Sequence, residues 1–145
     1  GILPHGAVVA FHEALEAFYA ERKEALERLG IWYGGMFSAV GTSGFLYEIA
    51  IYWPDEQTAY HAEVVPAEYL KDLPRFPANP EAREAVDQLK RDLIVLYDAH
   101  GAIHFQLGRA YPYASRLEDG AGRLVHTLKD ALDPAHRLAP GVLGL

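Results

Sequence analysis

The spacing of apolar residues predicts a long first helix. Between residues 7 and 29, apolar side chains recur in alternating steps of three and four residues, the period of one face of an amphipathic helix. The stem of Arg22 lies on the same face, and Gly30 ends the pattern. The apolar members are Val8, Phe11, Leu15, Phe18, Leu26 and Leu29.

Two segments after this helix have the composition of strands. Residues 31–40 and 44–53 are rich in aromatic and β-branched side chains, and Gly41-Thr42-Ser43-Gly44 provides a turn, so the pair is predicted to form a hairpin. Alternation in the second strand separates two faces. One face holds Phe45, Tyr47, Ile49, Ile51 and Trp53, and the other holds Leu46, Glu48, Ala50 and Tyr52.

The second half of the chain predicts two more helices and one strand. Residues 54–79 contain four prolines and form a long connection with a short turn at 67–70. Asn79-Pro80-Glu81 begins a helix that ends before Gly101. A strand over 102–107, a turn at 111–113 and a helix near 119–132, ended by Asp133-Pro134, complete the pattern.

This order of elements predicts an α+β fold: a ferredoxin-like antiparallel sheet with helices packed on one face. The first strand of that fold is missing from the prediction, or is supplied from upstream. Residues 1–145 are expected to form a single domain, since half of them are hydrophobic. A small sheet covered on one side leaves its other face bare, and function is expected there.

Composition excludes several classes of function. A formal net charge of −7 disfavours binding to nucleic acid, and the absence of cysteine excludes disulfides and thiolate metal sites. No apolar run approaches the length of a membrane span, so a soluble, cytoplasmic protein is expected. His100 and His104 are separated by a predicted helix end, so no metal site is predicted. No Gly-rich phosphate loop follows a strand.

The bare face is predicted to carry polar side chains of catalytic type. Alternation places His104 and Gln106 on one side of the 102–107 strand, and Glu48 shares a face with Tyr52. Either His104 or Glu48 could accept a proton, and His104 is the better base because histidine titrates near neutral pH without burial. The alternative is that both are ordinary solvent-facing residues of an antiparallel sheet.

Two blocks near the C-terminus resemble a known enzyme family. Residues 128–145, LKDALDPAHRLAPGVLGL, are similar to the C-terminal pattern LK-x-A-[LIV]-DP-x-x-[IL]-x-PG-x-x-G of FAD-linked oxidases of the vanillyl-alcohol oxidase and 4-cresol dehydrogenase type. Residues 101–112, GAIHFQLGRAYP, resemble the substrate-facing strand of those enzymes. The resemblance covers the last third of the chain well and the remainder loosely.

The resemblance implies a C-terminal cap, or substrate, domain of an FAD-dependent oxidoreductase that oxidises a small alcohol, hydroxy acid or aromatic alcohol by hydride transfer. FAD would be bound mainly by an N-terminal domain absent from this chain, and the fragment alone would be inactive. His104 and Glu48 would be catalytic. The substrate would contact Gln106, Arg109, Tyr52 and Tyr111, and the C-terminal turn with Arg137, Pro140 and Gly141 would lie near the flavin domain.

Departures from the family pattern narrow the substrate. Phenol-oxidising members carry a Tyr-Arg pair in this strand, whereas this chain has Phe105-Gln106, and a neutral amide stabilises a phenolate less well than a cation. Arg109 could restore the positive charge for an anionic hydroxy acid, or form a salt bridge at the rim. Tyr111 could line the pocket or pack within the turn, and residues 137–141 could equally be a plain helix-terminating tail.

A second function remains open. A free-standing ferredoxin-like module could form a homodimer through its bare sheet face and bind a small molecule between the two copies.

Overall fold

The computed structural model describes residues 1–106, 108–111 and 113–145. One antiparallel sheet has the strand order β1-β3-β2. In chain order the strands and helices are β1 (Ile2–Pro4), α1 (Val8–Leu29), β2 (Trp32–Val40), β3 (Gly44–Tyr52), α2 (Ala59–Val64), α3 (Ala67–Leu70), α4 (Pro80–Ala99) and α5 (Asp119–Leu132). Short 3-10 turns lie at His5–Ala7, Ala114–Arg116 and Val142–Gly144.

The helices begin and end where the sequence signals lie. Helix α1 ends at Gly30, whose φ of 67° is the left-handed conformation that glycine adopts without strain. Helix α4 begins at Asn79, whose side chain accepts a hydrogen bond from the Ala82 N–H, with Pro80 in the first turn. The predicted boundaries of α1, α4 and α5 and of the β2–β3 hairpin are confirmed to within a few residues.

Helices α1 and α4 pack on one face of the sheet and form the core. Phe11 is completely buried, with its ring stacked on Tyr97 at 4.5 Å and in edge contact with Tyr47 at 5.0 Å. These three residues join α1, α4 and β3. The α+β class, with an antiparallel sheet and helices on one face, is therefore confirmed.

The prediction that the first strand is missing was wrong. Ile2–Pro4 forms β1 and pairs with β3 in the register Ile2↔Leu46. Three residues that include a proline give too short a pattern for sequence reasoning to recognise as a strand.

The predicted strand over 102–107 was also wrong. Only Ile103 pairs with β1, through the bonds from Ile2 N to Ile103 O (2.7 Å) and from Ile103 N to Ile2 O (2.9 Å), and residues 104–106 are irregular. Leu107 lies outside the described residues. The next β1 residue whose backbone groups face this segment is Pro4, which has no N–H to donate. Ile2 is therefore the one residue of β1 that offers the segment both an N–H and a C=O.

The long connection after β3 contains the predicted turn at 67–70 as α3 and a further helix, α2, that was not predicted. Among the residues that the structure describes, no helix has the length and apolar character needed to cross a membrane.

Candidate functional site

The uncovered face of the sheet carries apolar side chains and a single carboxylate. We call it the bare face. The register Met36↔Glu48 places alternate residues of β2 and β3 on it. From β2 it contains Trp32, Gly34, Met36, Ser38 and Val40, and from β3 Leu46, Glu48, Ala50 and Tyr52.

The prediction that His104 shares this face with Glu48 was wrong. Ile103 pairs with Ile2, which pairs with Leu46, so Ile103 lies on the bare face and is 59% exposed. Ala102 and His104 therefore point to the helix side, and Ala102 is fully buried. The sequence pattern failed because it assumed that the apolar members of this segment were its buried ones.

Glu48 and His104 nevertheless meet at one cavity. A cavity of about 350 Å³ lies at the edge of β3 that β1 leaves uncovered, and Glu48, His104, Gln106 and Tyr111 all line it. Its apolar walls come from β3 and α4, including Ile49, Ile51, Trp53, Leu93 and Ile94. Four of the six predicted catalytic and substrate-binding residues are thus brought together by an edge of the sheet rather than by its face.

His104 is a half-buried polar residue of this cavity. Its ring stacks on Tyr111 at 4.6 Å and meets the Tyr97 ring at 6.3 Å. Its Nε2 atom is buried and has no hydrogen-bond partner among the described residues. Burial lowers the pKa of His104, and the positive charges of the Gly1 ammonium and the Arg116 guanidinium act in the same direction, whereas Asp98 opposes them. A neutral ring with a free nitrogen can accept a proton from a bound hydroxyl group.

Glu48 lies where the bare face and the cavity meet. Its side chain is exposed, it pairs across the sheet with Met36, and it also lines the cavity. Tyr52 is on the bare face but does not line the cavity; its ring stacks on Trp32 at 4.0 Å. Arg109 is exposed and is not among the lining residues.

Two further cavity residues were not singled out from the sequence. Lys90 lines the cavity from α4, with its Nζ atom 6.0 Å from the centre of the Trp53 ring. Tyr97 donates a 2.6 Å hydrogen bond to the Tyr47 carbonyl, and burial raises its pKa well above 10. Tyr97 was predicted only as part of the apolar stripe of α4, and Lys90 had no distinguishing signal because an exposed lysine is ordinary on a helix.

The C-terminal motif is held together by one buried ion pair. The Lys129 ammonium contacts the Asp133 carboxylate at 2.7 Å and also donates to the Leu138 carbonyl. Asp133 accepts from the backbone N–H groups of Arg137 and Leu138, and these bonds lower its pKa to about 2, the Lys129 bond contributing most. The fixed lysine and aspartate of the pattern therefore shape the turn after α5.

The predicted flavin-side residues lie on this turn. Gly141 has a φ of 74°, which favours glycine, while Arg137 and Pro140 are exposed. None of the three lines the cavity.

Helix α5 presents an apolar stripe to solvent. Leu124, Leu128 and Leu132 recur every fourth residue and are 60%, 51% and 78% exposed. The helix has no buried residue. An amphipathic helix with its apolar side in water is typical of a surface that packs against another domain or chain.

Within the described residues, no group of three His, Asp or Glu side chains could hold a metal ion. Comparisons with protein-family models, curated proteins and solved structures find no match for the chain.

Proposed function

We propose that this chain is the C-terminal cap, or substrate, domain of an FAD-dependent oxidoreductase that oxidises a small alcohol, hydroxy acid or aromatic alcohol. The observation that carries the proposal is the cavity that His104, Glu48 and Gln106 share, together with the Nε2 of His104, a buried nitrogen without a hydrogen-bond partner among the described residues. The C-terminal pattern adds support, because its lysine and aspartate form the ion pair that holds the tail.

The residues fit a flavin held by another domain. Next to the cavity, the bare face offers the stacked rings of Trp32 and Tyr52 and the side chain of Met36, an apolar and aromatic surface suited to a flat ring system. The flavin, when bound, would supply the acceptor for a hydride. The exposed stripe of α5 offers a second surface on which the flavin domain could pack.

The chain's own residues would position the substrate and manage its proton. His104, neutral because its pKa is lowered, takes the proton of the substrate hydroxyl at Nε2, and stacking on Tyr111 fixes the ring. The Gln106 amide orients the hydroxyl. Lys90, whose exposed ammonium lies 3.9 Å from Asp87, could turn to an anionic group at the cavity wall, which would favour a hydroxy acid over a neutral alcohol. Arg109 remains a candidate for the same role from the rim.

The test uses the full polypeptide that contains this domain together with its flavin domain. Anaerobic addition of hydroxy acids and alcohols should bleach the oxidised flavin spectrum. His104→Gln should slow bleaching by about 100-fold, the usual contribution of a general base. His126→Gln, a change of the same kind on the side of α5 opposite its leucine stripe, should not. A full polypeptide without flavin, or a flavin that none of these substrates reduces, would contradict the proposal.

A second function is a free-standing module that dimerises through the bare face and binds a small molecule there. The exposure of Trp32 and Met36 on that face favours it. Ile103→Lys would place a charge in such a face-to-face interface and should abolish the dimer. A monomeric wild-type chain, or a dimer that survives Ile103→Lys, would exclude this alternative.

A further inference from the structure

The outer edge of β2 is an unpaired strand edge of unusual composition. Strand β2 lies at the end of the sheet order, and its nine residues contain no charge, no proline and no bulge. The uncharged run continues from Gly30 to Tyr47. Soluble proteins usually protect an edge strand with charges, prolines or bulges, because its free backbone groups pair readily with another strand.

The hydrogen-bond pattern identifies which backbone groups are free. Gly1 and Tyr47 exchange both backbone bonds, from Gly1 N to Tyr47 O and from Tyr47 N to Gly1 O, so the odd-numbered residues of β3 face β1. The even-numbered residues of β3 therefore bond to even-numbered residues of β2. The N–H and C=O groups of Tyr33, Gly35, Phe37 and Ala39 consequently point away from the sheet. The Ala39 carbonyl accepts a 3.4 Å bond from the Ser38 hydroxyl and keeps a second lone pair for pairing.

We propose that this edge pairs antiparallel with β2 of a second copy of the chain, joining the two sheets into one. Only odd-numbered residues of the two β2 strands can exchange backbone hydrogen bonds across the interface. The residue numbers of each pair therefore add to an even number, which places the two-fold axis at a residue of β2 and not between two residues. Full overlap of the nine residues places that axis at Met36. Each of the four outward-facing residues then satisfies both of its free backbone groups.

Side-chain sizes are complementary in this register. Trp32 lies opposite Val40 of the partner subunit, and Tyr33 lies opposite Ala39 of the partner subunit. Gly35 faces Phe37 of the partner subunit, so a large side chain meets a small one at each of these pairs.

Charge favours a second copy over a charged partner. Although the chain carries a net charge of −7, the paired edges are neutral. The nearest carboxylate, Glu48, is one strand further in. The two copies of Glu48 would be about three strand spacings, or ~14 Å, apart, beyond the Debye length of about 10 Å at moderate salt. Packing through the bare face would instead bury Glu48.

The proposal does not depend on the proposed function, because the outer edge of β2 contains none of the cavity residues. The bare face also stays open in this dimer. Pairing at the edge is thus compatible with a separate ligand or domain on the face.

The test introduces like or opposite charges at the two-fold axis through substitutions of Met36. Met36 is exposed and meets its own copy, so Met36→Lys and Met36→Glu should each weaken the dimer by about tenfold in dissociation constant, through like-charge repulsion and lost contact. Mixing the two variants should restore the dimer as a heterodimer. Sedimentation equilibrium of the 145-residue chain measures all three.

Two matched variants separate edge pairing from other contacts. Ala39→Pro removes an outward N–H that the β2–β3 ladder does not use, and should leave a folded monomer by circular dichroism. Ile103→Lys, at the opposite side of the bare face, should leave the dimer intact. A monomeric wild-type chain would overturn the proposal. So would a dimer that Ala39→Pro leaves intact and Ile103→Lys breaks, or variants at Met36 that fail to rescue each other.

Discussion

The bond from the Tyr97 hydroxyl to the Tyr47 carbonyl ties α4 to β3 behind the cavity. Tyr97→Phe removes this 2.6 Å bond and leaves the ring, which stacks on Phe11, in place. A buried hydrogen bond contributes about 0.5–1.5 kcal/mol. The Tyr47 carbonyl still accepts from Gly1 N, so we expect a loss of about 1 kcal/mol in the free energy of unfolding, or about 2–4 °C in Tm for a chain of this size.

Alkaline titration tests the same bond independently. Burial raises the pKa of Tyr97 above the ordinary value of 10, so the native state holds the phenol proton more tightly than the unfolded state. The stabilisation is fully present below pH 10 and decreases as the pH rises above it. Tyr97→Phe should therefore weaken the pH dependence of unfolding in alkali.

Urea unfolding measured across this range provides the assay, and Tyr60→Phe is the control because Tyr60 is 71% exposed. If Tyr97→Phe unfolded at the same urea concentration as the wild type, and with the same alkaline slope, the hydroxyl would not tie α4 to the sheet.

Three further changes test other parts of the structure. Phe11→Ala should cost about 3–5 kcal/mol in urea unfolding, because Phe11 is fully buried between α4 and β3; a loss below about 1 kcal/mol would contradict this packing. His104→Leu should flatten the decline in stability below about pH 6.5, because the buried ring resists protonation in the native state; an unchanged acid profile would refute its burial. Asp133→Asn should speed proteolysis of the C-terminal tail above pH 4 but have little effect near pH 2, where the native carboxylate itself becomes protonated; equal rates at both pH values would argue against the ion pair with Lys129.

Local signals were sufficient for the three long helices, α1, α4 and α5, and for the hairpin. Gly30 and the Asn79-Pro80 pair mark helix ends through their own backbone preferences, and these require no knowledge of the rest of the chain. The period-two pattern of residues 45–53 likewise identified the correct buried side of β3.

The segments at the β1 edge of the sheet depend on contacts between residues that are far apart in the sequence. Strand β1 exists because Ile2–Pro4 pairs with β3, and residues 102–106 do not form a strand because β1 offers them so few partners. Neither fact is encoded in local periodicity. The sequence pattern could name His104 as a candidate base, but it could not predict which way its side chain points.

The reversed orientation of His104 changes where a reaction would take place. On the bare face His104 would have been a solvent-exposed histidine, whereas on the helix side its ring stacks on Tyr111 beside the cavity and its Nε2 is buried. Glu48 and Leu46 both line the cavity and lie on the bare face, so they mark the place where the two surfaces join. A ligand that lies across the bare face and extends into the cavity would contact Glu48 and Leu46 at this junction. Its hydroxyl would then meet a base already shielded from water, which is the condition under which a neutral histidine remains available to accept a proton.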